Sequence, residues 1–326
     1  MIASLGLVSC HNFDTDFPDF DYTTGYFPYQ FPVRTLILGD YIFDNENDNA
    51  HKFVISAAMG GVYSNSKNRV LNIQVDESLC KNVGFSGGGA IKALPSSYYE
   101  LSNASQITIP SGSVNGGIDV QLKDAFFSDP DAIKNTYVVP VRLVSTNDLD
   151  SILVGSTTTA NADIRFESQW SVAPKNFTMF GIKFINEWHG NYFHYGSSTT
   201  NGVADAYKEV YVEYNDVYKL ITSGRNQCSL TTLLESSSWS KTVTLLFNFS
   251  GDNCTITAPE GASYTVSGTG TWNKAQDGYD SFGNKTRNVL RYSYTVKEGS
   301  NTYSANDNLV ARDRAVTLET YTPVAL

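Results

Sequence analysis

Sulfur and basic charge are both scarce in this sequence. Its 326 residues hold only four cysteines, three methionines and four histidines. No two cysteines form a C-x-x-C pair and none shares a ligand spacing with a histidine, which argues against a structural zinc site. Lysine and arginine total 23 against 33 acidic residues, for a net charge of −10. With no basic cluster to offset it, so acidic a surface repels phosphate backbones and anionic headgroups, and nucleic acid and peripheral membrane binding are excluded as expectations. Also missing are internal repeats, long polar tracts and any strongly helical segment.

Aromatic residues, by contrast, are plentiful: 20 tyrosines and 18 phenylalanines. Such residues suit pleated, half-buried surfaces, and they point to an all-β protein. "VRTLILGDYIF" (33–43), "HKFVISAAMGGVY" (51–63) and "RVLNIQVDE" (69–77) read as short strands, the last alternating with period two. With "SQITIPSG", "GGIDVQLKDAFF" and "TYVVPVRLVS" they make about six strands separated by Gly/Pro/Asn turns, an immunoglobulin-like β-sandwich over 22–163. The small, polar "GSTTTANAD" (155–163) reads as a linker, which places a boundary near Ile164.

From 164 to 326 the strands lengthen. "KNFTMFGIKFI" opens the run, "YKEVYVEYNDVYKLI" alternates with Val210, Val212 and Tyr214 on one face, and "TVTLLFNFSGDNCTITA" is two strands joined by a turn. In "NVLRYSYTV", Leu290, Tyr292, Tyr294 and Val296 point one way. This long antiparallel meander predicts a lipocalin- or calycin-like β-barrel.

Residues 1–21 form a separate leader. In the apolar MIASLGLVSC, Leu7-Val8-Ser9-Cys10 resembles the lipobox of bacterial lipoproteins, which implies lipidation at Cys10. The run is far too short to span a bilayer. From His11 to Asp48 eight carboxylates stand against one cation, Arg34. That tract reads as a solvated leader and turn, and its start resembles the surface-export signals of Bacteroidetes lipoproteins. Export permits disulfides; Cys228 and Cys254 are either a pair or, more often for such residues, two buried thiols.

Three catalytic or metal motifs fail on context. Gly84-Phe85-Ser86-Gly87-Gly88 fits G-x-S-x-G, but no strand-to-helix turn surrounds it, and it reads as a hairpin loop. "DNENDN" (44–49) lacks a calcium loop's glycine and its bidentate glutamate, and reads as a solvated tip. His189 and His194, five apart, are badly spaced for one metal. No cofactor, metal or catalytic residue is assigned, although Glu187 is the acid to inspect first.

The densest chemistry is "FINEWHGNYFHYGS" (184–197), with Phe184, Trp188, Tyr192, Phe193 and Tyr195. Alternate side chains of a strand face opposite ways, so these rings cannot all enter one core. Trp188, Tyr192 and Tyr195, with His189 and Asn191 as polar partners, therefore either plug the barrel or meet the C–H face of a sugar.

The strings "YFPYQFPVRTLILGD", "HKFVISAAMGGVYSN", "LNIQVDESLC", "FINEWHGNYFHYG" and "LVARDRAVTLETY" resemble two-domain Bacteroidetes surface lipoproteins of polysaccharide-utilisation loci. There an immunoglobulin-like domain of unknown function precedes a calycin-like one. The resemblance implies an outer-membrane, lipid-anchored protein that binds glycan at the cell surface beside a porin, without cleaving it. The alternatives are a structural or assembly subunit with no ligand of its own and, behind it, a glycosidase or esterase.

Overall fold

The computed structural model describes residues 21–236 and 239–326. It is all-β, with two single-turn α-helices, Glu46–Asn49 and Asp124–Phe127, among the described residues. Two sheets face each other in the N-terminal part. One runs Ser151–Ile152, Thr24–Tyr26, Lys52–Gly60, Asn115–Leu122, Tyr99–Leu101. The other runs Glu319–Thr320, Pro32–Ile37, Phe177–Ile185, Tyr137–Thr146, Arg69–Val75, Gln106–Ile109, with Lys92–Ala93 beside Tyr137–Thr146. Phe53, Ile55, Ile118 and Val120 of the first meet Leu36, Leu71, Val139 and Phe184 of the second in one core. That is the expected sandwich.

Phe177–Ile185 lies elsewhere than expected. Position in the chain predicts "KNFTMFGIKFI" as the opening strand of the barrel; instead it pairs antiparallel with Tyr137–Thr146 and parallel with Pro32–Ile37, at the centre of the second sheet. Both of its faces are covered. Phe184 and Ile182 enter the sandwich core, while Phe177 and Met179 pack against Leu79, Val83 and Phe85 on the other side. A strand buried on both faces reads as an unbroken apolar run, and nothing local tells which sheet owns it. The C-terminal segment returns to the same sandwich: Glu319–Thr320 pairs with Pro32–Ile37, and Pro323–Ala325 with Val83–Phe85. The barrel is thus an excursion between two sandwich strands, and its pairing differs from the expected division at Ile164.

Eight strands close the barrel. In ring order they are Gly190–Thr200, Val217–Gly224, Gln227–Glu235, Ser240–Ser250, Asn253–Thr257, Thr265–Gln276, Arg287–Glu298 and Asn301–Asp313, which pairs back to Gly190–Thr200. Leu290, Tyr292, Tyr294 and Val296 all point inward, as their alternation predicts. Room for the two tyrosines comes from glycines across the ladder: Gly268 faces Tyr294 and Gly270 faces Tyr292. A Cβ at Gly268 would stand 2.6 Å from that of Tyr294, so the close approach demands glycine. The expected strand through Val210–Tyr214 is instead a loop with a 3-10 turn at Val212–Tyr214. Val212 alone of the three is buried, capping Phe193 and Tyr195 on the outer wall.

Two smaller expectations also change or hold. In "DNENDN" Asp44, Glu46, Asn47 and Asn49 are exposed as a solvated tip requires, but Asp48 is buried in an ion pair with Arg34 and accepts the Ile37 N–H at 2.9 Å. Ser86 sits exposed at a tight turn with Gly87 at φ +72°, the hairpin loop expected there.

Candidate ligand-binding cleft

The aromatic stretch seals the barrel end that faces the sandwich. Trp188 is 4% exposed and lies flat on Phe249, ring centroids 3.8 Å apart. Tyr192 is buried and donates its hydroxyl to the Trp188 carbonyl at 2.6 Å; burial pushes its pKa far up. Tyr195 faces the outer wall, covered by Tyr279, and its hydroxyl donates to Asp280 at 2.7 Å. Burial, then that carboxylate, raise its pKa to about 12. His189 accepts the Thr222 N–H on Nδ1 at 3.0 Å, and burial followed by the Arg314 charge lowers its pKa to about 4. Asn191 donates to Asp313 at 2.7 Å. Of the five candidate binding residues, then, Trp188, Tyr192, Tyr195 and His189 are packed structure, which is the plug of the two alternatives and not the sugar platform. Cys10 lies outside the described residues. Cys80, Cys228 and Cys254 are free thiols.

Beside this plug, however, lies a cleft of about 990 Å³. Its barrel side includes Asn191, Lys219, Asn288 and Arg312, with Tyr192 and Trp272 reaching its floor. Its sandwich side is the loop Asp40–Phe43; the run "VRTLILGDYIF" predicts a strand as far as Phe43, but the strand stops at Ile37. Gly39 allows the turn. At φ +82° it holds a conformation that L side chains rarely adopt, and a Cβ there would meet Glu187 Cβ at 2.4 Å. The loop then presents Ile42 and Phe43, 76% and 66% exposed, with Tyr41 edge-on to Phe43 at 5.5 Å. The signal for this was present: an apolar tripeptide between Gly39-Asp40 and Asp44-Asn45, turn formers on both sides, reads as a loop tip at least as well as a strand end.

Arg314 fixes the two walls together. Its guanidinium donates to the carbonyls of Leu38 (3.0 Å) and Asp40 (2.7 Å) on the loop, and of Asn186 (2.6 Å) and His189 (2.8 Å) on the barrel entry. Burial lowers its pKa, but a guanidinium stays charged throughout the physiological range. Among the carboxylates, Asp313 is engaged by Asn191 and the Ala315 N–H, and Asp40 by Asn288 at 3.3 Å. Glu187 has its pKa raised by burial. Amides, guanidinium groups and exposed rings around one groove are the chemistry of a polar, uncharged ligand with an apolar face.

Residues 20–150 match a family model for an N-terminal domain, and residues 187–315 match that of a domain of unknown function, DUF5627. A Bacteroides ovatus protein of unknown function, seen in a crystal structure at 2.40 Å resolution, is 34% identical with a TM-score of 0.89 over 94% of this chain and 100% of that one. A second Bacteroides ovatus structure of unknown function is 14% identical with a TM-score of 0.41, covering 91% of this chain and 99% of that one. No curated protein matches. The chain belongs to the family of the 34%-identical Bacteroides ovatus protein, and its barrel is a DUF5627 domain.

Proposed function

We propose that this is a cell-surface protein that binds glycan without cleaving it, tethered to the outer membrane by lipid on Cys10. The glycan sits in the cleft between Asp40–Phe43 and the barrel end. The observation that carries the reading is the exposure of Phe43 and Ile42 at the rim of a cleft large enough for several sugar rings. The Phe43 and Tyr41 rings meet pyranose C–H faces, and Asn191, Asn288 and Arg312 bond the hydroxyls. Asp313 and Asp40 hold the neighbouring amides of Asn191 and Asn288, a positioning role in this reading. Isothermal titration against a polysaccharide panel, wild type beside Tyr41→Ala and Phe43→Ala, tests this. Heat from at least one glycan, lost in both variants, is the expected result.

The burial of Trp188, Tyr192 and Tyr195 favours a second reading, an assembly subunit of a porin complex with no ligand of its own. Capture of a porin partner in the absence of sugar, with no glycan heat, supports that reading.

A further inference from the structure

The opposite half of the barrel holds a separate pocket. The strand Gly190–Thr200 changes partners along its length: Gly190–Phe193 pairs with Val217–Leu220, but Gly196–Thr200 pairs with Val203–Tyr207. Among the described residues no ladder joins Val203–Tyr207 to Gln227–Glu235. The barrel closes through its other pairings, and a cavity of about 260 Å³ lies beside this unpaired stretch of strand. It reaches His194 and Asp307, which are 8% and 3% exposed.

One of these two side chains, His194, is incompletely satisfied. Tyr207 donates its hydroxyl to Asp307 Oδ1, which leaves Oδ2 facing the imidazole. His194 Nε2 lies 3.3 Å from Oδ2 and has no hydrogen-bond partner. Leaving a buried polar atom in this state is costly, and such atoms are usually paired by a ligand or a water. With the imidazole proton on Nδ1, Nε2 is an acceptor, and a single group with two N–H bonds to give pairs with Nε2 and with Oδ2 together.

Charge and ring placement define that group further. Asp205, Glu209, Asp216, Glu235 and Asp307 all line the cavity, against one lysine. That lysine, Lys208, is held over other rings, its Nζ 3.9 Å from the Tyr279 centroid and 5.0 Å from that of Tyr195. His194 itself is stacked between Tyr218 (4.0 Å, 12° between planes) and Tyr207 (5.1 Å, 29°), and Tyr294 and Tyr303 close the inner wall. Carboxylates with tyrosine faces select cations. A quaternary ammonium has no N–H and would leave Nε2 unpaired. A bare metal ion finds no group of three ligands among the described residues. An oligosaccharide exceeds the space.

We infer that this pocket binds a small primary amine as its ammonium, which donates to Asp307 Oδ2 and His194 Nε2 between tyrosine faces. The site is independent of the glycan cleft, at the other end of the barrel interior.

Titration calorimetry of the full chain with ethanolamine and putrescine, beside choline, acetamide and acetate, tests it. One saturable site for both amines is expected, with choline about tenfold weaker or worse for want of N–H donors, and no heat from the neutral or anionic compounds. Asp307→Asn removes binding. Should that variant fail to fold, the exposed pair Asp205→Asn with Glu235→Gln keeps the test alive: affinity falls by about threefold to tenfold, and raised salt shrinks the difference. Absence of amine binding by wild type overturns the inference. So does choline binding as tightly as ethanolamine, or unchanged affinity in a folded Asp307→Asn protein.

Discussion

Trp188 and Phe249 lie face to face, their ring centroids 3.8 Å apart and their planes within 4°. The pair closes the barrel end over Cys228 and Leu220, in the same core as Tyr192. Trp188→Ala should therefore cost about 3–5 kcal/mol of stability, the range for removing a buried large ring. Trp188→Phe should cost much less, because the indole Nε1 has no hydrogen-bond partner to lose. Urea melts of the three proteins check this. A Trp188→Ala protein that melts like wild type would show the ring is not the plug.

Phe43→Ala should behave in the opposite way. The ring is 66% exposed, so stability should move by no more than about 0.5 kcal/mol. Glycan affinity should fall at least about tenfold, a contact on the scale of a binding hot spot. Calorimetry and thermal melts on one sample separate the two effects.

Arg314 donates to four carbonyls, two on each wall of the cleft. Arg314→Met leaves those acceptors without their donor and should destabilise by about 3 kcal/mol or more. Arg314→Lys keeps the charge but has no planar fork, and should recover only part of the loss. Denaturant midpoints for the series, read against an Arg312→Met control at the exposed neighbour, check the ordering.

His189 makes stability depend on pH. Its folded pKa, about 4, lies below the unfolded value near 6.5, so between the two the unfolded chain binds more protons. Stability is fully present above about pH 6.5, falls as pH drops toward 4 and changes no further from this group below that, by roughly 3 kcal/mol in all. His189→Asn offers Oδ1 to the Thr222 N–H and should flatten the curve across this window. Urea melts from pH 4 to 7 on both proteins measure it.

Burial raises the thiols of Cys228 and Cys254 to about 12 and about 11. At pH 8 neither should alkylate in the folded protein, and both should do so in urea. Peptide mapping after iodoacetamide treatment resolves each site, and rapid labelling of native Cys228 would contradict the packed barrel interior.

The sequence by itself determined which local patterns this chain can form. Alternation in "NVLRYSYTV" set the inward face of a barrel strand, and the turn at Gly251 in "FSGDNC" set a hairpin, because both depend on residues close in the chain. The wealth of aromatic and β-branched residues likewise decided the all-β class. What "KNFTMFGIKFI" pairs with, however, was decided by Pro32–Ile37 and Tyr137–Thr146, and an apolar run bears no mark of its sheet. Only the closed barrel settled that Trp188 faces Phe249 and not solvent, since its neighbour there comes from a strand 61 positions along the chain. The same holds for Asp307 beside His194, and for the Tyr41–Phe43 tip facing the barrel end. Period-two patterning chooses a face, and long-range pairing chooses what that face meets.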